Sequence, residues 1–233
     1  MNPELNNPAP STYGSSVAIA PEAQKVLRNT YLLLALTMVP TVIGAFVGMA
    51  TASVVMASPI ISSLVVLAVV IGLQFAIAAN RDSALGIGLL LLMTGVLGWW
   101  LGPLLSVALA LKNGPALVGY AAVGTGVVMT AMATIATVTK RDFSFMGKFL
   151  FVGMLVLLVA AIANMFLQIP ALSLAISSLV IVVFSLFLLH DLSRIVTGGE
   201  TNYVMATTGV YMSLFNIFSS LLQLLMALAG EKD

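Results

Sequence analysis

The chain has 233 residues, of which 61% are hydrophobic and 7% charged, with a formal net charge of +1 and a mean hydropathy of +1.14. That composition leaves no room for a soluble catalytic domain, and a charge so near zero offers no basic surface to nucleic acid. Cysteine is absent and His190 is the single histidine, which excludes disulfide frameworks, thiolate metal sites and the usual His clusters.

Residues 1–24 carry Pro3, Pro8, Pro10 and Pro21 among Asn and Ser, with Glu4 and Glu22 as their charges. Such a segment buries too little apolar surface to offset its ordering entropy, so a disordered tail is expected. It lacks the basic start and short apolar run of a secretory signal. Seven apolar stretches follow, at 31–52, 59–79, 84–105, 116–139, 146–167, 171–189 and 203–229. Each is close to the roughly 20 apolar residues that a helix needs to cross hydrocarbon about 30 Å thick. The pattern predicts an all-α integral membrane protein, a seven-helix transmembrane bundle over 25–230 with 231–233 as a short C-terminal tail.

The breaks are brief. Gln168-Ile169-Pro170 makes the fifth and sixth spans an antiparallel hairpin, and Gly198-Gly199 forms a flexible break before the seventh. Pro40 is expected to kink the first span, and Gly102-Pro103 is a weak point of the third. The glycines of the middle spans suit close helix packing. With the N-terminus inside, Lys25, Arg28, Arg81, Lys140, Arg141, Lys148 and Arg194 lie on the cytoplasmic side and only Lys112 and Lys232 outside. The bias of basic residues therefore predicts a cytoplasmic N-terminus and a periplasmic C-terminus.

The seventh span carries the best polar signal. Gly209, Ser213, Asn216, Ser220 and Gln223 recur at steps of four and three and fall on one helical face. Lipid offers such a face no partner, so this helix is expected inside the bundle. Interhelical hydrogen bonding is the favoured explanation, and a water or ion path the sharper one. Asp191 closes the apolar run of the sixth span, beside His190 and three residues before Arg194. An interfacial ion pair with Arg194 is the plain reading; a titratable gate, with His190 adding pH sensitivity, is the functional one. Asn164, Gln168 and Gln74 are weaker buried-polar candidates. Thr201 or Asn202 can cap the last helix, with Glu200 suited to its positive end. No enzyme constellation, phosphate loop or cofactor motif appears.

Several segments resemble a known family. Lys25-Val26-Leu27-Arg28-Asn29-Thr30-Tyr31 opens the first span and Gly98-Trp99-Trp100-Leu101-Gly102-Pro103 closes the third. Gly198-Gly199-Glu200-Thr201-Asn202-Tyr203-Val204 and Ser213-Leu214-Phe215-Asn216-Ile217-Phe218 flank the start of the last. Over 25–229 the chain is similar to the Bax inhibitor (TMBIM) family, in its bacterial, YccA-like branch. The resemblance implies a seven-helix bundle with a central seventh helix. Some members are pH-sensitive calcium leaks with a sensor of two aspartates. The sixth-helix position matches Asp191, whereas the seventh-helix position matches Ser213, so one charge is missing and Ca²⁺ or proton conduction through Asp191 is the weaker expectation. For this branch the resemblance implies an inner-membrane protein that binds and restrains an FtsH-type membrane AAA protease. The proline-rich tail would be an accessible handle for such a protease.

Overall fold

The computed structural model describes residues 19–230; the tail expected over 1–18 and the terminal 231–233 lie outside the described residues. The described residues form helices α1 (Pro21–Ala50), α2 (Ala52–Ala57), α3 (Pro59–Ala79), α4 (Ala84–Ala110), α5 (Gly114–Thr139), α6 (Met146–Leu167), α7 (Pro170–Val196) and α8 (Tyr203–Gly230). All but the six-residue α2 are long and apolar enough to cross a membrane, which gives the seven spans predicted from the sequence.

Three boundaries differ from expectation. Helix α1 begins at Pro21, so residues 21–24 belong to a helix and not to the tail, and Ala23 is buried. Proline suits the first helical turn, where its missing N–H has no intrahelical acceptor, and Glu22 complements the helix dipole. Helix α4 runs unbroken through Gly102-Pro103. Helix α7 continues past 189 to Val196, because Leu192, Ile195 and Val196 are buried beyond the charged residues. Asp191 and Arg194 thus lie within the helix. The α6–α7 connection is as short as predicted: Gln168 caps α6 with a left-handed φ of 52°, and Pro170 opens α7.

Helices α1 and α4 make the most extensive helix pair. A Cβ on Gly44 would strike the Gly95 carbonyl, and one on Gly48 the Trp99 carbonyl. A Cβ on Gly98 would strike the Thr41 carbonyl, and one on Gly102 the Gly48 backbone. The two backbones therefore touch along a seam that only glycine permits. Trp99 Nε1 donates to Thr51 Oγ1 at 2.9 Å, fastening the far end of the seam.

Helix α8 packs against α1, α3, α4, α5 and α7, the central place expected for the seventh span. Its Tyr211 is buried, with the hydroxyl 2.8 Å from Thr41 Oγ1 and 3.4 Å from the Thr94 carbonyl, so one side chain joins α8 to both members of the seam. Helix α6 is peripheral: it packs closely against α7 alone and buries only Leu150 and Leu157.

Gly98→Val should push α1 and α4 apart and cost about 2–3 kcal/mol, as overpacking does. Gly88→Val, where a Cβ meets nothing within 4 Å, should leave stability unchanged. Thermal melts of the detergent-solubilised variants check this, and equal melting temperatures would remove the seam from the account.

Candidate functional site

One end of the bundle gathers the α3–α4 turn, the α5–α6 loop and the α7–α8 connection. There a cavity of about 310 Å³ is lined by Asp191 and Arg194 of α7, Glu200 of the connection, Gly209 and Ser213 of α8, and Gln74 of α3, among others.

Asp191 Oδ1 lies 3.0 Å from His190 Nδ1. Its other oxygen rests on α8, where a Cβ on Gly209 would come within 2.5 Å of Oδ2. Glycine at 209 is what lets the carboxylate sit against the α8 backbone. His190 is buried and wedged on its far side by α6, since a Cβ on Gly147 would fall 2.8 Å from Nε2.

Arg194 does not pair with Asp191, contrary to the sequence reading. Its Nη2 is 3.4 Å from Glu200 Oε2 and donates to the Gly199 carbonyl at 3.2 Å. The cause is the path of the connection. Gly198 adopts φ +80°, the chain folds back over the last turn of α7, and the Glu200 N–H donates to the Arg194 carbonyl at 3.0 Å. That fold-back delivers the Glu200 carboxylate to the guanidinium.

Asn202 is the cap of α8. Its Oδ1 accepts from the Val204 and Met205 N–H groups at 3.0 and 3.1 Å. Its Nδ2 donates to Asp82 Oδ1 at 2.7 Å and to the Arg81 carbonyl at 3.1 Å, tying the start of α8 to the α3–α4 turn. Glu200 Oε1 accepts from the Asn202 N–H at 2.9 Å. The Gly198–Gly199–Glu200–Thr201–Asn202–Tyr203 motif is therefore a brace between α7, α8 and the α3–α4 turn. The sequence pointed to the cap but not to the link with Asp82.

The α5–α6 loop joins the same end. Asp142 is exposed and its carboxyl is held below the usual value, first by hydrogen bonds from Ser144 and then by the charges of His190 and Arg194.

The α8 stripe is divided. Gly209 and Ser213 face the charged cavity. Asn216, Ser220 and Gln223 face a second cavity of about 730 Å³ in the opposite half of the bundle, and Met212 borders both. Ser213 and Asp191 share the first cavity without a hydrogen bond between them among the described residues. Asn164, singled out from the sequence, accepts from the Ile169 N–H at 3.1 Å and closes the α6–α7 turn. Tyr211, the residue that fixes α8 to its neighbours, had no polar periodicity to mark it. Among the described residues no group of three or more His, Cys, Asp or Glu is placed to hold a metal ion. The charged cavity offers one carboxylate against α8 and a second already engaged by a guanidinium, fewer free oxygen ligands than a tight Ca²⁺ site takes.

Comparison with known proteins agrees with this architecture. A family model described as "Inhibitor of apoptosis-promoting Bax1" matches residues 23–230. A protein of Escherichia coli K12 named "Modulator of FtsH protease YccA" is 41% identical over 86% of this chain and 89% of its own length. An uncharacterised membrane protein of Vibrio cholerae is 40% identical over 92% of this chain and 94% of its own. An uncharacterised Pseudomonas aeruginosa protein is 40% identical over 94% and 96%.

Asn202→Ala should lower stability by about 1–2 kcal/mol through the lost cap and the lost bond to Asp82. Asn202→Ser keeps a capping oxygen and should recover about half of that. Denaturation of the two variants in one detergent checks the order; equal losses would mean that capping contributes nothing.

Proposed function

The chain belongs to the Bax inhibitor family, and on that basis we propose that it is a non-enzymatic inner-membrane protein that binds and restrains an FtsH-type membrane AAA protease. The observation that carries this reading is the 41% identity, over 86% of the chain, to a protein named as a modulator of that protease. Two features support it. The charged cavity holds Ser213 where a conducting pair of carboxylates would need a second acid, which disfavours ion transport as the main role. The proline-rich N-terminal segment precedes α1 at the bundle end that bears Arg81, Lys140, Arg141 and Arg194, and the positive-inside rule places that end in the cytoplasm. In that orientation the segment faces a cytoplasmic protease, and the C-terminus is periplasmic.

The contact is tested by affinity recovery from solubilised native membranes, using the full-length protein and a variant lacking residues 1–18. That deletion stops short of α1. Recovery of the protease with both proteins assigns the contact to the bundle; recovery with the full-length protein alone assigns it to the tail; recovery with neither overturns the reading. The deletion should also lengthen the protein's half-life severalfold in cells that contain the protease. An unchanged half-life would exclude the tail as a degradation handle.

A second reading is a Ca²⁺ or proton leak, favoured by one observation: two cavities, one in each half of the bundle, border the same residue, Met212. Ser213→Asp would supply the missing acid beside Asp191, so that two carboxylates share the cavity. Flux in liposomes should then become pH-dependent, and Asp191→Asn should abolish that dependence. Flux unaltered by both changes would rule this reading out.

A further inference from the structure

Helix α6 carries one charged residue, Lys148, in its first turn. Positions 145, 148, 149 and 152 are spaced as one helical face, and Phe145, the cap residue, already has helical φ and ψ. All four are exposed, Phe145 and Phe149 at 78% and 77%. The face continues through the exposed Val156 and Val159. On a membrane-spanning helix, side chains of this kind are solvated by acyl chains. At 1.5 Å per residue the 22 residues of α6 cover about 33 Å. The first turn therefore lies at the edge of a hydrocarbon layer about 30 Å thick. Lys148 stands on the lipid side of α6, at the level of the headgroups, where its long stem lets the ammonium reach polar surroundings.

Arg141, in the α5–α6 loop, brings a second exposed cation to the same end. Neither side chain makes an ion pair or a hydrogen bond among the described residues. The neighbouring acids are engaged elsewhere: Asp82 with Asn202, Asp191 with His190 and Glu200 with Arg194. Asp142 follows Arg141 in the chain, but its carboxylate accepts from the Ser144 N–H, and the charges that act on it are those of His190 and Arg194 on α7. The loop is thus divided. Its carboxylate answers α7, and Arg141 and Lys148 are left to the bilayer. The anion that a bilayer offers at this depth is a lipid phosphate. Two cations without a protein counter-charge favour a headgroup of net negative charge over a zwitterion, whose own ammonium they repel.

We infer that the start of α6 and the loop before it form a binding site for one anionic phospholipid, its phosphate held between Arg141 and Lys148 and its acyl chains lying on Phe145, Phe149 and Val152. Helix α6 is otherwise held closely by α7 alone, so the bound lipid gives this end of α6 a second anchor. The site is independent of the protease reading.

The test uses the full-length protein with Phe145→Trp, reconstituted into phosphatidylcholine vesicles that contain either brominated phosphatidylglycerol or, in a parallel set, brominated phosphatidylcholine at the same fraction. Quenching of the introduced indole, after subtraction of the Trp99 and Trp100 signal measured in the parent protein, reports which lipid lies beside the loop. Phosphatidylglycerol should be preferred about tenfold, as two cations beside an anionic headgroup require, and the preference should shrink as salt is raised. Arg141→Gln with Lys148→Gln should bring the ratio close to one, whereas Lys148→Arg should keep it. Lys25→Gln with Arg28→Gln removes the same charge from exposed positions at the start of α1, and should leave most of the preference, which separates a site from the general field of a basic surface. Phe149→Trp reports the same contact from the next turn and replaces the first reporter if Phe145→Trp does not fold. Equal quenching by the two lipids, a preference that survives the loss of Arg141 and Lys148, or one lost equally with Lys25 and Arg28 would overturn the inference.

Discussion

In hydrocarbon, helices gain nothing by hiding apolar faces from one another, so this bundle is held where backbones touch and where polar groups meet. The α1–α4 glycine seam is that place. Backbone against backbone leaves no slack, and it gives α8 a fixed wall to lie on. Tyr211 then fastens α8 to Thr41 and reaches Thr94, one residue on each side of the seam. The remaining helices are positioned from this core outward: α5 and α7 flank α8, and α6 hangs on α7.

That asymmetry decides where polarity can be tolerated. On the seam side, α8 is closely packed, with Val204 and Tyr211 almost fully buried. On the α6 side the packing is open, and both cavities lie there; Met154 of α6 borders the charged one and Leu158 the neutral one. A shift of α6 on α7 would alter the two together without disturbing the seam. The loosely held helix is thus the natural place for a partner to act upon, because its displacement loses little buried surface.

The spans were legible because a membrane helix is specified by length and hydropathy, and both are properties of contiguous sequence. The end of α7 was not, because Asp191 and Arg194 look like an interface, whereas Leu192 and Ile195 continue the buried face beyond them. The start of α1 was misplaced for a related reason: Pro21 reads as tail composition but is also a good first residue of a helix. The polar periodicity of α8 was visible and correctly implied an interior helix. Its division into a charged and a neutral half was not visible, since that depends on which residues of α3, α6 and α7 stand opposite. Nor did the sequence point to Glu200, in place of the expected Asp191, as the partner of Arg194. That choice is made by the positive φ of Gly198, which returns the chain over the end of α7.

The charged end is consequently better understood as a brace than as a half-built ion site. Arg194 is engaged by Glu200, Asn202 is shared between the α8 cap and Asp82, and Asp191 is held between His190 and the Gly209 backbone. Each ionisable group in this set already has a protein partner, and together they join α7, α8 and the α3–α4 turn at one level of the bundle. A site evolved to pass cations would keep a carboxylate free to exchange ligands, because tight internal pairing competes with the ion. A protein that must present a fixed end beside a processive protease, while one outer helix gives way, is served by this arrangement. In the proposed role the rigid half of the molecule resists being pulled apart, and the half that carries α6 is the one free to yield.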